Sequence, residues 1–434
     1  MIQGDNQRVA AIRKRSRRSD SAIILLFLIP CLQIVQLHVI GVLYGSDLLL
    51  LATFIVLALR GRIRVTAPVG KWFLILGCLW LASQCVTDIL RHSAFADYVR
   101  GWSNIGMTLV NFCVLWTLLY GKTRRLIVYG WGLVAGSLLT YLIKPDDFAQ
   151  SYPWKFGLAY PVTMGVVLIA SSKRFSGLWP IIVTAAIGAI NVSLGARNRG
   201  GACVAAALYL LLTLFLRGKL RESTKVKAGT VVTLAASIVL GVVGIFWGYE
   251  YAANVGMLGL KAQKEYEQES SGKYGLLLGG RSELLGSIPA IYDSPILGHG
   301  SWARDPKYIL MQITAENVFG YKGGSDITRA DLEEGLIPAH SYLFQAWVDA
   351  GIVGALFWGW VFVFTAKTLM RVYPATVVLL PAASFIAFSL LWDILFSPYG
   401  ATGRIVVPYY IVLLATCLAM APQQTARAAI GVAK

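Results

Sequence analysis

A histidine and three arginines carry the chemistry that this sequence offers. Arg281 follows Gly279-Gly280 and opens Arg281-Ser-Glu-Leu-Leu285, and His340-Ser341 follows Pro338 further along. A histidine at a helix start feels the positive end of the helix dipole, which favours the neutral imidazole. A neutral imidazole accepts a proton, so His340 suits a general base; an orienting hydrogen-bond donor would look the same in sequence. Arg281 suits an anion ligand, although an arginine in a loop is also an ordinary salt-bridge partner. Arg197 and Arg199 lie in Gly195-Ala-Arg-Asn-Arg-Gly-Gly201, where two guanidiniums and glycine amides at a helix start suit a phosphate. The competing reading is a pair of arginines snorkelling to a membrane interface. Arg404 is a weaker candidate of the same kind. Of the other histidines, His38 reads as a packing residue in the first apolar run, and His92 and His299 as solvated.

These residues need a scaffold, and composition defines it. The chain has 434 residues, 56% hydrophobic and only 14% charged, with a mean hydropathy of +0.63. A soluble protein carries about 25% charged residues. Apolar runs fall near 22–43, 47–59, 71–90, 104–120, 125–143, 157–171, 177–195, 201–216 and 228–250, and again near 351–367, 375–396 and 404–420. Most are long enough for a hydrocarbon core of about 30 Å. The expected fold class is an all-α polytopic membrane protein with about twelve transmembrane helices, not a strand barrel, whose segments are short and alternating. Residues 1–250 hold spans one to nine, 251–350 a long, largely helical loop, and 351–434 the last three spans and a tail. The basic start and the long run to Tyr44, with no small-residue cleavage site, read as a retained first span rather than a signal peptide.

The formal net charge of +17 would suggest nucleic acid in a soluble chain. Here much of the basic charge lies in short loops that set topology, so no nucleic-acid partner is expected. Arg13-Lys14-Arg15, Arg60 to Lys71, Lys122 to Arg125, Lys173-Arg174, Arg217 to Lys227, Lys367 to Arg371 and Arg427 to Lys434 occupy every second loop and both termini. Both termini are therefore expected in the cytoplasm, and the 251–350 interval on the opposite face, with the Arg197–Gly201 turn beside it.

Within that interval, Lys261–Ser270 reads as a solvated helix of mixed charge, and Arg281–Tyr292 as a helix with Arg281 and Leu285 on one face. Ser294–Gly300 reads as a turn. A helix opening near His340 gathers Leu343, Phe344, Trp347 and Ala350 on one face, suited to the membrane surface. Cys31, Cys78, Cys85, Cys113, Cys203 and Cys417 all fall in apolar runs and read as small core residues. No metal-ligand spacing occurs, and no Gly-rich nucleotide loop.

The layout and three motifs resemble the O-antigen ligase and polymerase superfamily. The motifs are Arg281-x-x-x-Leu285; His340-Ser341 followed after nine residues by Gly351 and then by Gly354; and Asn198-Arg199-Gly200. The Asp293–Gly300 turn is also similar to that family's turn between its Arg and His motifs. Asp349 stands where relatives often carry Glu, and Arg197 beside Arg199 leaves open which is equivalent to the family's arginine.

The resemblance implies a bacterial inner-membrane glycosyltransferase without a cofactor. Its donor would be polysaccharide on undecaprenyl diphosphate, and its acceptor lipid A–core oligosaccharide at the periplasmic face. Catalysis would be metal-independent and inverting, with His340 and Arg281 catalytic and with Arg199, Arg197 and Arg281 on the diphosphate. The nearest rival is a polymerase of the same superfamily that joins repeat units; an oligosaccharyltransferase acting on proteins is expected to be longer. A transporter of lipid-linked glycan is the rival from another class. It would place charges near the bilayer midplane, whereas Asp88 and Asp393 fall at the ends of their spans.

Overall fold

The computed structural model describes residues 23–172, 177–220, 244, 247–248, 250–256, 260–275, 281–321, 327–372 and 379–431. Most of the expected span near 228–250, Gly279-Gly280, Lys173-Arg174 and the amino-terminal basic run lie outside them. The chain is 78% helical, and its sheet is one two-stranded ribbon among the described residues. The elements are α1 (Ile23–Ile34), β1 (Gln36–His38), β2 (Val42–Tyr44), α2 (Gly45–Leu59), α3 (Pro68–Arg91), α4 (Phe95–Leu119), α5 (Thr123–Ile143), α6 (Asp147–Ser151), α7 (Pro153–Ala170), α8 (Trp179–Ser193) and α9 (Arg197–Leu220). In the long interval come α10 (Leu260–Ser270), α11 (Leu284–Asp293), α12 (Pro306–Val318) and α13 (Arg329–Glu334), then α14 (Tyr342–Val372), α15 (Leu380–Phe396) and α16 (Gly403–Gly431).

Seven of these helices, α3, α4, α5, α7, α9, α14 and α16, are long and apolar enough to cross a membrane, and α1, α2, α8 and α15 are shorter apolar helices. Their exposed positions carry Ile55, Trp72, Ile89, Ile182 and Leu356, a surface suited to lipid. Proline at the first turn starts α3, α8 and α15, where a missing N–H costs nothing. The helix core is one continuous cluster, with Phe73 and Trp80 of α3 stacked on Phe112 of α4 and Phe357 of α14.

The first apolar run departs from expectation. Instead of one span over 22–43, α1 stops at Ile34 and the chain turns through β1 and β2, with Gly41 at φ +88°. The stretch from Val35 to Val42 is rich in β-branched residues and interrupted by Gln36 and His38, which favours a ribbon over a helix. His38 is exposed on β1 rather than packed inside a span. Arg404 is likewise no open anion ligand. Its guanidinium is buried, donates to Asp47 Oδ2 at 2.7 Å and to the Val42 carbonyl at 2.6 Å, and so ties α16 to α2 and to the ribbon. Asn111 of α4 donates to the same Asp47 and to the Arg404 carbonyl.

α14 is two helices joined at Gly351, whose φ of +67° and ψ of −160° are not helical. The break frees carbonyls that a continuous helix would use internally. The turn at Ser294–Gly300 takes them up: His299 N donates to Val348 O at 2.7 Å and Gly300 N to Asp349 O at 3.0 Å. Ser83 of α3 donates to Ala350 O at 2.8 Å. Backbone meets backbone here, since a Cβ on Gly351 would lie 1.9 Å from Ile296 O, and one on Gly298 would lie 2.6 Å from Gly351 N. Phe344 and Trp347 pack on Ala290, Ile291 and Tyr308 of the long interval, so this face of the leading half-helix is covered by protein rather than free for a membrane surface.

Gly351→Ala should therefore lower stability by at least about 2 kcal/mol, from strain at positive φ and from overpacking. Gly359→Ala, in the same helix with open space around it, should be neutral or stabilising by up to about 1 kcal/mol. Apparent melting of the two purified variants against wild type checks both.

Candidate functional site

Three stretches of chain converge on the final turns of α15, from Trp392 to Phe396. Ser341 Oγ donates to Ile394 O at 2.8 Å and accepts from Phe344 N at 3.1 Å. Ser341, the residue after His340, thus caps α14 and is tied to α15. The Arg281 guanidinium lies 5.5 Å from the ring centroids of both Trp392 and Phe396. Arg199 is within electrostatic reach of Asp393, and its guanidinium lies 4.9 Å from the Tyr160 ring of α7. Asp393 also accepts from Ser397 Oγ at 2.7 Å.

Local glycines set these positions. Arg197, Asn198 and Arg199 form the first turn of α9, where Asn198 Oδ1 accepts from Arg199 N at 2.8 Å. Gly200 lets α8 and α9 close tightly behind them, since a Cβ there would lie 2.5 Å from Val192 Cγ2 and 2.9 Å from Gly188 O. Gly286 acts the same way for His340. A Cβ on it would lie 3.0 Å from both Pro338 Cγ and Tyr308 O, so glycine lets the segment before His340 pass close over α11.

That crossing brings His340 to Glu283, with Nδ1 3.8 Å from Oε1, an ion-pair separation longer than a hydrogen bond. The ring is half-exposed, yet enough protein surrounds it that lost hydration is the main cause of a lowered pKa. Glu283 pulls the pKa up and Arg281 pushes it down. The neutral imidazole is thus favoured by burial first and then by Arg281.

Two further expectations change. α11 starts at Leu284, and Arg281, Ser282 and Glu283 form the turn before it, with Leu284 N donating to Arg281 O at 3.1 Å. Arg281 therefore does not share a helical face with Leu285. His299 is no solvated residue: its Nε2 donates to Ala290 O at 2.7 Å and its ring meets Tyr308 edge-on. Arg197 is half-buried at the first position of α9, beside the Arg199 that faces α7 and α15.

Sequence reading missed Glu283, Ser341's tie to α15, and Asp393 as a member of the site. Glu283 was in view two residues after Arg281. Asp393 was legible as a lone carboxylate on an apolar helix, a position where charge is costly and usually has a reason. Among the described residues no group of three or more His, Cys, Asp or Glu side chains could hold a metal ion. Two guanidiniums near a neutral imidazole suit an anionic leaving group and a hydroxyl that must lose a proton. No protein-family model, no curated protein and no solved structure matches this chain.

The His340 ring should titrate below the ordinary histidine range. Glu283→Gln removes the group that favours the imidazolium and should lower its pKa further; Arg281→Gln removes a repelling cation and should raise it. Histidine-selective 13C NMR across pH, with His340→Ala to assign the resonance, checks the direction of each shift.

Proposed function

We propose that this chain is a glycosyltransferase of the bacterial inner membrane that moves O-antigen polysaccharide from undecaprenyl diphosphate to lipid A–core oligosaccharide. The observation that carries the reading is the convergence of Arg199, Arg281 and the His340 segment on one end of α15. The motif resemblance joins it.

In this reading the acceptor hydroxyl oxygen attacks the anomeric carbon of the first donor sugar, from the face opposite the diphosphate. The new glycosidic bond forms as the bond from carbon to phosphate oxygen breaks, so the configuration inverts. The hydroxyl proton passes to His340, and undecaprenyl diphosphate leaves. Negative charge grows on the diphosphate in the transition state, and Arg199, Arg281 and Arg197 supply fixed positive charge, so the reaction is proposed to need no metal. Arg281 is held by aromatic rings and Arg199 by Tyr160 and Asp393, so little reorganisation is needed as charge develops.

The reading includes twelve spans. Seven long helices and four shorter apolar ones are joined by the apolar run near 228–250, outside the described residues. Basic loops on alternate turns support cytoplasmic termini and a periplasmic 251–350 interval. The prenyl chain would lie against the lipid-facing helices, and the bilayer is thereby a partner in binding.

In cells lacking the gene, His340→Ala and Arg281→Ala variants should restore no lipopolysaccharide ladder, while the lipid A–core band stays intact. Removing one such donor typically costs about 3 kcal/mol, roughly a hundredfold in rate. A core bearing one repeat unit would point to the polymerase instead. Normal ladders from both well-expressed variants would sink the site.

A further inference from the structure

One helix of the long interval is apolar on both faces. α11 reads Leu-Leu-Gly-Ser-Ile-Pro-Ala-Ile-Tyr-Asp, and its one charge, Asp293, is at its end. The inner face, with Ala290 and Ile291, packs with Tyr308, Val348, Phe344 and Trp347. On the outer face Ile288 and Tyr292 stand exposed one turn apart, Tyr292 at 84%, and Ile296 follows in the next turn of chain at 76%. α10 and α13, in the same interval, instead present Lys264, Glu267, Arg329 and Glu333 to solvent. A helix that is apolar all round has apolar surroundings on both sides.

Backbone contacts fix how deep this outer face lies. Thr87 Oγ1 of α3 donates to Leu297 O at 2.6 Å, and a Cβ on Gly351 of α14 would lie 1.9 Å from Ile296 O. The Pro295–Ile296 corner is thus wedged between those two helices. Thr87 lies about 6 Å inboard of Arg91, the last residue of α3. Beyond Thr87, toward that end, Ile89 and Leu90 are still exposed apolar residues, and on α14 Leu356 is exposed farther in. Ile296 therefore sits at a level where both flanking helices present apolar side chains outward. Its charged neighbours mark the edge of that level. Arg91 Nε donates to Gly298 O at 3.1 Å and its Nη2 to Ser294 Oγ at 2.8 Å, and Lys307 pairs with Asp293 at 2.7 Å.

A protein arriving from the aqueous side would have to enter between lipid-facing helices to cover Ile296, whereas acyl chains occupy that level in any bilayer. Tyrosine suits the other end of the face, because its ring is apolar and its hydroxyl can reach headgroups. We infer that the Ile288–Tyr292–Ile296 edge is a membrane-interface anchor, with Ile296 among acyl chains and Tyr292 at the headgroups. The anchor sets the height of the long interval over the bilayer, and the turn just before α11 carries Arg281 and Glu283. The inference goes beyond the glycosyltransferase reading and holds whatever reaction the chain performs.

The test uses the full chain in phospholipid nanodiscs, with single nitroxide labels at Ile296→Cys and Tyr292→Cys and the six native cysteines changed to alanine. Leu356→Cys gives the lipid reference and Glu333→Cys the aqueous one. Collision with oxygen and with a nickel chelate reports the depth of each label. The Ile296 label should be open to oxygen and protected from nickel, about 8 Å shallower than Leu356, the rise of the helix from Gly351 to Leu356. The Tyr292 label should be shallower still. Nickel access at Ile296 equal to that at Glu333 would overturn the anchor. Protection from both reagents would overturn it too, because a second copy or another protein would then cover this face. A second measurement keeps the native cysteines. The exposed Ile296 side chain leaves Ile296→Asp nearly neutral to stability in water but costly in lipid. Its apparent melting temperature in nanodiscs should fall by several degrees, while Glu333→Ala should match wild type. Unchanged melting of Ile296→Asp would also contradict the anchor.

Discussion

A helix in an apolar bundle cannot stop without satisfying its carbonyls, and here the break in α14 at Gly351 is satisfied by one turn of the long interval. His299 N and Gly300 N close onto Val348 O and Asp349 O, and Ser83 of α3 takes Ala350 O. The contact is so close that Gly298 and Gly351 leave no room for a side chain. Much else follows from it. The turn fixes α11 relative to α14, Asp88 then gathers Ser301 beneath the turn, and the segment through Pro338 must run back over α11 to reach the start of α14. His340 lies at the end of that path, next to Glu283 and Arg281.

The proposed site is thus assembled from parts of the chain that are far apart in sequence, and one helix end holds them. α15 contributes aromatic faces to Arg281, a carboxylate near Arg199 and a backbone carbonyl to Ser341. The buried Arg404, by contrast, is locked to Asp47 and to the Val42 carbonyl and holds the fold rather than the site. Asp393 is within electrostatic reach of Arg199, and Glu283 lies beside His340. In the proposed function, a diphosphate there would meet the Arg199 and Arg281 guanidiniums at a partly desolvated rim, where each interaction is stronger than in water.

The helices were legible because burial in an apolar bundle leaves long apolar runs, and those over 71–90, 104–120 and 125–143 match α3, α4 and α5 to within a few residues at most ends. The run at 22–43 misled because hydropathy does not distinguish a helix from a β-branched ribbon, and His38 and Gln36 were the available warning. Arg281, Arg199 and His340 stood out because charge and imidazole are rare in this chain. Glu283 and Asp393 were visible as charges, but what brings them to the site is a crossing over Gly286 and a helix packing rather than a motif. Arg404 looked like Arg199 in sequence, and only tertiary contact with Asp47 separates them.

The central claim is that this one chain transfers a glycan by means of arginines on a diphosphate and a histidine on a hydroxyl. Its most direct test is the initial rate of transfer by the purified chain in proteoliposomes, supplied with lipid-linked polysaccharide and lipid A–core, without ATP and with a chelator present. The account predicts transfer by wild type under those conditions and a loss of roughly a hundredfold in Arg281→Ala. Transfer at the wild-type rate by both Arg281→Ala and His340→Ala, or wild-type transfer that appears only when metal or ATP is restored, would contradict it.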